Sequence, residues 1–438
     1  MISFVLAVCA ILAAPSLGVP RQDDSRRIVR LSGDAPWAAS RRALEAAGCP
    51  PERELKLVSA LVVRASPACS EARLRSLPQV VGVEEDAAVS LPKEGTASPA
   101  GSGLANGPGD FSTPSRRDKV RSLVSGTLSS VFGHHVENAS SFQAPVPGPS
   151  QAEPERGWSW NILRLNLPEA WKTARGQGVK VAVLDTGIDP RHPELPNVDG
   201  GFNAFDPAGS WEDVHGHGTA MAGIIAGAPN PERGMSGVAP EARLYAVEVM
   251  DDNGMGSVSS VIAGIEWAVA NRMQVISMSI SFSKKKMEEG DTEILHEAVR
   301  KAVAAGIVVV SISGNYGSRG VSLPAAYPEA IAVAASDPYD KRFFISGRGP
   351  EVDLIAPGVW IRELKPGGGH TRNNGVSPAG AHVAGLAALK LSRSPGLGVE
   401  AVRSALTAAA VPLPDLSPDE QGAGMVDAAR LLGAGGAP

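Results

Sequence analysis

The pattern of apolar and polar positions predicts a small folded unit near the start of the chain. Short apolar runs at Arg27–Leu31, Leu61–Val63 and Val80–Glu84 predict strands. Pro36–Ala47 lies between the first two runs and predicts a helix. Residues 26–91 are therefore expected to form a compact α+β unit.

From Trp158 onward, strand-like apolar runs alternate with helical stretches such as Ser257–Ala270 and Thr292–Ala305. This alternation predicts an α/β fold, with a doubly wound, mainly parallel sheet covered by helices on both faces. Functional residues in such sheets gather at the carboxyl ends of the strands. The predicted strands are Val179–Asp185, Arg243–Met250, Val275–Ile280, Ile307–Ser313, Ala330–Ala335 and Val352–Ala356.

Residues 92–156 are rich in Gly, Ser and Pro, which predicts a linker between the two folded parts. Within it, apolar residues from Val120 to Val131 recur at helical spacing behind a basic cluster at residues 116–121. We interpret this segment as a transient amphipathic helix. The alternative is an exposed basic site at which an activating protease cuts.

The first residues have the character of a targeting segment. Met1–Ala14 is almost unbroken apolar sequence, and the small residues Ser16 and Gly18 follow at the positions that a signal peptidase requires. We therefore predict a signal peptide at residues 1–18 and a secreted protein. An uncleaved membrane anchor and a lipoprotein site at Cys9 are the alternatives.

Charge and cysteine content narrow the functional classes. The 438-residue chain has a formal net charge of −5, which gives no reason to expect a nucleic-acid partner. Cys49 and Cys69 could form one disulfide or stay two buried thiols. No cysteine follows residue 70, so the larger part of the chain cannot use a thiol nucleophile.

Two candidate catalytic groups follow the first long strand. Asp185 begins an Asp-Thr-Gly motif, which is also the signature of aspartic proteases. That chemistry needs two carboxylates sharing a proton, and no second such motif occurs. His217 lies between two glycines. Paired with His215 it could also bind zinc, but a catalytic zinc would need a third protein ligand, and the remaining histidines suggest none.

Two further candidates lie later in the chain. Asn315 follows a strand beside glycine, where its amide could stabilise an oxyanion or only shape a turn. Ser377 precedes Pro378 at the expected start of a helix, where the helix dipole favours negative charge on a reacting oxygen. It could instead be an N-cap. An α/β-hydrolase elbow is unsuitable, because that fold places its acid and histidine after the serine.

The order of these residues, with the sequence around them, resembles one family. Residues 158–432 are similar to the catalytic domain of the subtilases. The resemblance is carried by four motifs and by supporting matches such as Gly237–Pro240, Ala356–Gly358 and Gly422–Ala428. The four motifs are Val181–Asp189 around the aspartate, His217–Thr219, Ser313–Asn315, and Gly375-x-Ser377 with His382–Gly385.

The resemblance implies a serine endopeptidase whose catalytic domain covers residues 157–434. Ser377 would be the nucleophile, His217 the general base, Asp185 its orienting acid and Asn315 an oxyanion donor. No cofactor is implied for the chemistry. Residues 26–91 resemble the inhibitory propeptide of the family, chiefly at Arg27–Leu31 and Val81–Asp86.

The resemblance also implies binding residues and partners. Protein or peptide substrates would lie between two strands, and we expect a monomer whose own propeptide is its intramolecular inhibitor. Apolar P1 residues are expected, because no acidic selector is evident. Glu194 and Asn230 are candidates for structural calcium, or else a solvated carboxylate and a polar turn. The substrate-binding candidates are Gly254, Met255, Gly256, Ser279, Ile280, Ser281, Ser313, Gly314 and Ser322, with Tyr316 beside the P1 pocket.

A few positions depart from the family pattern. Val376 stands where the family commonly has Thr, and Ala381 where it has Pro. Ser281 and Phe282 stand where it has two glycines, so we expect a narrower cleft. These departures motivate an alternative function, a non-catalytic or weakly active homologue that acts as a binding module.

Overall fold

The computed structural model describes four stretches of the chain. No helix in them is long and apolar enough to cross a membrane. The expected signal peptide at residues 1–18 and the expected linker at residues 92–156, with its basic cluster and helix, lie outside the described residues. The described stretches are residues 26–91, 157–282, 293–317 and 320–433.

The N-terminal unit is a four-stranded antiparallel sheet with two helices. Its elements are β1 (Arg26–Leu31), α1 (Trp37–Ala46), β2 (Pro51–Leu55), β3 (Ala60–Arg64), α2 (Glu71–Arg75) and β4 (Val80–Glu85). The strands lie in the order β2-β3-β1-β4. The sequence predicted β1, β3, β4 and α1, whereas β2 and α2 were not predicted. A separate apolar cluster that includes Val29, Leu44, Leu61 and Leu74 fills the interior of the unit.

A disulfide joins Cys49 and Cys69, which decides between the two alternatives that the sequence left open. Both residues are buried in the apolar cluster of the N-terminal unit. Cys49 follows α1, and Cys69 directly precedes Ser70, the N-cap of α2. The bond therefore joins the segment after α1 to the segment before α2. Such a covalent link is typical of small domains with limited hydrophobic cores.

The larger part of the described chain is built on a nine-stranded sheet. Its order is β16-β17-β13-β12-β11-β10-β6-β8-β7, and every pairing except β16 with β17 is parallel. The strands are β6 (Lys180–Asp185), β7 (Val198–Asn203), β8 (Arg243–Glu248), β10 (Val275–Met278), β11 (Val308–Ile312), β12 (Ile331–Ser336), β13 (Leu354–Pro357), β16 (Ala410–Val411) and β17 (Met425–Val426).

Two further pairings lie outside this sheet. They are the antiparallel pair of β5 (Ala88–Ser90) with β9 (Met255–Ser257), and the hairpin of β14 (Ile361–Leu364) with β15 (His370–Asn373). The remaining helices are α3 (Trp160–Arg164), α4 (Leu167–Ala170), α5 (His217–Ala226), α6 (Val258–Ala270), α7 (Glu293–Ala304), α8 (Ser377–Arg393), α9 (Val399–Ala408), α10 (Pro418–Gln421) and α11 (Ala428–Leu431).

Helix α8 runs through the core with nearly all of its first three turns buried. Its small residues allow this close packing. A Cβ on Gly385 would lie 2.6 Å from the Cβ of Val238, and one on Gly380 would lie 2.7 Å from Cγ2 of Ile312. The glycine- and alanine-rich sequence of the helix therefore sets how closely it approaches the sheet.

His382 is fully buried inside α8 and is held by hydrogen bonds. Its Nδ1 donates to the carbonyl of Pro378 at 2.7 Å, so its Nε2 accepts from Nδ2 of Asn161 at 2.9 Å. Burial lowers the pKa of His382 to about 4, against the raising effect of its backbone hydrogen bonds. The ring is therefore neutral in the folded protein near pH 7.

We predict that His382 makes the protein less stable in mild acid. Between pH 6.5 and 4 the unfolded chain takes up a proton that the folded chain excludes, so stability falls as the pH falls. The loss approaches about 3 kcal/mol at pH 4. Urea unfolding between pH 4 and 7 should show this loss of stability in the protein that retains His382 and not in His382→Gln. Both proteins should carry Ser377→Ala. Identical pH dependence in the two proteins would contradict the prediction.

Candidate active site

Asp185 and His217 form a buried hydrogen-bonded pair at the carboxyl edge of the large sheet. Asp185 is the last residue of β6, and His217 is the first residue of α5. Nδ1 of His217 lies 2.7 Å from Oδ1 of Asp185, and both side chains are at most 3% exposed. Because a carboxylate can only accept, Nδ1 carries the hydrogen. Nε2 is then the basic nitrogen of the ring.

Asp213 fastens the loop that carries His217. Its Oδ1 accepts hydrogen bonds from Oγ1 of Thr186 and from the backbone N–H of Gly216. Its Oδ2 accepts from the backbone N–H and the hydroxyl of Thr219. Burial raises the pKa of Asp213, and these hydrogen bonds oppose that effect. No role was predicted for Asp213 from the sequence. Its position four residues before the candidate catalytic histidine, His217, was the signal that could have indicated one.

Gly218 allows the aspartate and histidine segments to touch. A Cβ on Gly218 would lie 2.0 Å from the carbonyl oxygen of Gly187 and 3.2 Å from the Cβ of Asp185. Gly187 itself has a φ of 100°. Any side chain at position 218 would therefore push His217 away from Asp185.

Ser377 lies at the start of α8, as predicted. It is 1% exposed, and Pro378 occupies the first turn. The N-cap is Val376, so the interpretation of Ser377 as an N-cap is wrong. The hydroxyl of Ser279 donates to the backbone carbonyl of Ser377 at 3.2 Å. Since Ser279 directly follows β10, this contact places Ser377 at the carboxyl edge of the sheet, next to the strand that ends in Asp185.

Asn315 lies beside the backbone that precedes Ser377. Its Oδ1 accepts a hydrogen bond from the N–H of Val376 at 3.3 Å. The oxygen end of the amide is therefore turned toward the helix start, which leaves Nδ2 as the end that can donate. The amide and the helix N-terminus together make a region favourable to negative charge.

A segment of the N-terminal unit lies along the predicted substrate-binding strand. β5 pairs antiparallel with β9, with Val89 opposite Gly256 and Ser90 opposite Met255. The N–H of Leu91 donates to the carbonyl of Gly254 at 3.0 Å. On its other side, Ser90 forms an antiparallel bridge with Ser281. Residues 88–91 are thus an extended peptide between two edges of the larger part.

The predicted substrate-binding residues other than Ser279, which bonds the carbonyl of Ser377, divide into three groups. Gly254, Met255, Gly256 and Ser281 contact the extended segment directly. Ile280 shares one apolar cluster with the buried Val89, and Phe282 is buried in the same cluster.

Ser313, Gly314 and Ser322 form the third group. A Cβ on Gly314 would lie 2.5 Å from Oγ of Ser322. Oγ of Ser313 contacts Oγ of Ser346 at 3.2 Å. A narrower cleft at Phe282 and a P1 pocket at Ser322 and Tyr316 stay predictions.

The two calcium candidates, Glu194 and Asn230, are hydrogen-bonded to each other. Oε1 of Glu194 accepts from Nδ2 of Asn230 at 3.1 Å, and Oε2 lies 3.1 Å from Nε2 of His370. Oδ1 of Asn230 accepts from the N–H of Arg233. Both carboxylate oxygens therefore face nitrogen groups where calcium would need oxygen ligands. This arrangement does not fit a calcium ion.

The zinc alternative lacks a third ligand within the part of the chain that the structure describes. No group of three His, Cys, Asp or Glu side chains there could hold a metal ion. His215 and His217 have ring centroids 6.5 Å apart, and Nδ1 of His217 is already bound to Asp185.

Residues 176–434 match the sequence model of the subtilase family. Subtilisin Savinase from Lederbergia lenta is 41% identical over 270 residues, which are 61% of this chain and 96% of that protein. Subtilisin E from Bacillus subtilis (strain 168) is 48% identical over 226 residues, which cover 50% of this chain and 57% of that protein. The minor extracellular protease Epr from the same strain is 39% identical over 238 residues, 54% of this chain and 36% of Epr.

Proposed function

The chain belongs to the subtilase family and is a subtilisin-like serine endopeptidase, and we propose that it is secreted as an inactive precursor that its own N-terminal unit inhibits. In this proposal residues 1–18 are the signal peptide and residues 26–91 the propeptide. Residues 92–156 are the linker, and residues 157–434 are the catalytic domain. Secretion agrees with the name of one relative, an extracellular protease.

Ser377 attacks the carbonyl carbon of a peptide bond in the proposed reaction. Nε2 of His217 accepts the hydroxyl proton as the new bond forms, and then gives it to the leaving amine. Water repeats the sequence on the acyl-enzyme and releases the second product. The observation that carries this proposal is the buried 2.7 Å contact between His217 and Asp185, which sets the tautomer that the base needs.

Two hydrogen-bond donors would stabilise the negative charge that develops on the substrate's carbonyl oxygen. Nδ2 of Asn315 and the N–H of Ser377 are the proposed oxyanion donors. The contact of Oδ1 of Asn315 with Val376 supports this role, because it fixes which end of the amide donates. Val376 and Ala381, which depart from the family pattern, are both fully buried.

Residues 88–91 support the proposed inhibition, because they lie between the two strands that we propose bind a substrate. They form backbone hydrogen bonds to one edge of the cleft and bridge to the other. Peptides commonly bind to proteins by such strand addition. Since the segment belongs to the same chain, it competes at an effective concentration that a free substrate rarely reaches.

Two acidic residues of the N-terminal unit bind the starts of two helices of the catalytic domain. Asp86 accepts hydrogen bonds from the N–H and the hydroxyl of Ser259, each at 2.8 Å, in the first turn of α6. Oε2 of Glu84 accepts from the N–H of Ile294 in the first turn of α7. Carboxylates are favoured there by the unpaired N–H groups and by the helix dipole.

Apolar and basic contacts extend the same docking surface. Ile28 and Val62, from the face of the N-terminal sheet, share a cluster with Val261 of α6 and Ala298 of α7. Nη2 of Arg30 lies 2.7 Å from Oε2 of Glu297 on α7. The propeptide thus covers two surface helices while its C-terminal segment lies in the cleft.

The alternative function, a binding module without activity, has no contact in its favour. A serine-directed fluorophosphonate probe distinguishes the two functions. We expect Ser377 to be labelled slowly in the freshly isolated full chain and rapidly after the propeptide has been removed by processing. Ser377→Ala is the control and should show no labelling at that position. Processed protein that stays unlabelled at Ser377 would overturn the proposed activity.

We also predict that Asp86→Asn weakens inhibition. The substitution removes a charge-assisted bond to the N–H of Ser259, and such bonds contribute about 1.5–3 kcal/mol. Labelling of Ser377 in the unprocessed full chain should therefore become about tenfold faster or more. Glu85→Gln is the matched control, since Glu85 is the exposed neighbour of Asp86. Equal labelling rates in the two variants would show that the helix contact does not support inhibition.

A further inference from the structure

The disulfide between Cys49 and Cys69 lies in the N-terminal unit and takes no part in the proposed mechanism. Residues 157–434 contain no cysteine, and Cys9, the third cysteine of the chain, lies in the expected signal peptide. A reagent that acts on disulfides therefore has its target in the proposed propeptide and none in the proposed catalytic domain.

The sheet of the N-terminal unit uses its two faces differently. Successive side chains of a strand point to opposite faces. Ile28 and Val62 belong to the apolar cluster that the unit shares with the catalytic domain. Their neighbours Val29 and Val63 belong to the separate cluster that contains the disulfide. Docking on one face therefore requires a folded sheet, and the cluster on the other face supports that fold.

The cluster that contains the disulfide is small. It holds nine buried side chains, two of which are Cys49 and Cys69. The two cysteines are 20 positions apart, and the chain between them forms β2 and β3. Loss of a native disulfide from a small secreted domain often abolishes folding, because such a domain buries little surface. Without the bond, we expect the N-terminal unit to stay folded only while it is docked.

We propose that the bond between Cys49 and Cys69 is a redox-sensitive site at which a dithiol reductant relieves inhibition. The inference rests on the proposed function and adds regulation to it. One thiolate of the dithiol attacks a cysteine sulfur and breaks the S–S bond. The second thiolate then displaces that sulfur, which closes the dithiol to its own disulfide. Two electrons pass to the cysteine pair, and each cysteine sulfur takes up a proton.

A surface groove beside the bond gives the reductant a route to it. The groove is lined by residues next to the cysteines, among them Gly48 and Ala68, and all of its lining residues belong to the N-terminal unit. Both cysteines are buried, and backbone hydrogen bonds between Ser66 and Cys69 close the short loop over them. Opening of this loop therefore exposes the sulfurs while the unit is still docked on the catalytic domain.

Reduction changes what happens when the N-terminal unit leaves the cleft. An oxidised unit stays folded and returns, because its sheet still presents Ile28 and Val62 to the catalytic domain. A reduced unit unfolds and no longer presents that face. Its return then requires refolding, so the cleft stays open for longer.

The test measures fluorophosphonate labelling of Ser377 in the freshly isolated, unprocessed full chain after incubation with reduced or oxidised dithiothreitol. Reduction should make labelling at least about tenfold faster, because a native disulfide commonly changes the folding equilibrium of a small domain by more than this factor. Alkylation with iodoacetamide and mass spectrometry then count the thiols formed at Cys49 and Cys69.

Two controls show whether the effect acts through the bond. The full-chain double variant Cys49→Ala/Cys69→Ala should label rapidly with either form of dithiothreitol. The processed protein should label at the same rate with both forms, because residues 157–434 contain no cysteine. The wild-type comparison decides the proposal even if the double variant does not accumulate.

The outcomes separate this proposal from the proposed function. Processed protein that is not labelled at Ser377 would overturn the activity. An oxidised full chain that is labelled as fast as the processed protein would overturn the inhibition. Labelling of the full chain that stays slow in reduced dithiothreitol would overturn only the redox-sensitive site, whether alkylation finds the two cysteines reduced or still joined.

Discussion

Buried at the carboxyl edge of the sheet, Asp185 accepts a hydrogen bond from Nδ1 of His217 and so decides which ring nitrogen is basic. The other parts of the site are arranged around this contact. Gly218 lets the two segments approach, and Asp213 fastens the loop between them. The buried start of α8 brings Ser377 to the same edge. The core packing of a small-residue helix and the polar contacts of the loop therefore bring Asp185, His217 and Ser377 to one edge of the sheet.

The same edge of the sheet is the basis of the proposed self-inhibition. A cleft that binds extended peptides through backbone hydrogen bonds does not distinguish a substrate from a segment of its own chain. Residues 88–91 use that property, while Glu84 and Asp86 attach the N-terminal unit to the starts of two helices.

Most of the central strands followed from their apolar runs, because strands buried on both faces need apolar residues at every position. Strand β7 (Val198–Asn203) was missed since it is a glycine-containing edge strand with no fully buried residue. The catalytic candidates were found because each follows a strand or begins a helix. The contact of Asp213 with Thr186 and the pairing of β5 with β9 depend on segments far apart in sequence. Local patterns carry no information on such contacts.

The central claim is that residues 88–91 block a working active site, and Val89 offers the most direct test. Its side chain is 1% exposed in an apolar cluster of the cleft, whereas Ser90 is half-buried on the same strand. Fluorophosphonate labelling of Ser377 should be measured in the unprocessed full chain of Val89→Asp and of Ser90→Asp. Burial of a valine contributes about 1.5–3 kcal/mol, so Val89→Asp should label at least about tenfold faster than the wild type and Ser90→Asp much less so. Labelling of Val89→Asp at the wild-type rate, in a protein whose processed form is labelled readily, would contradict the claim.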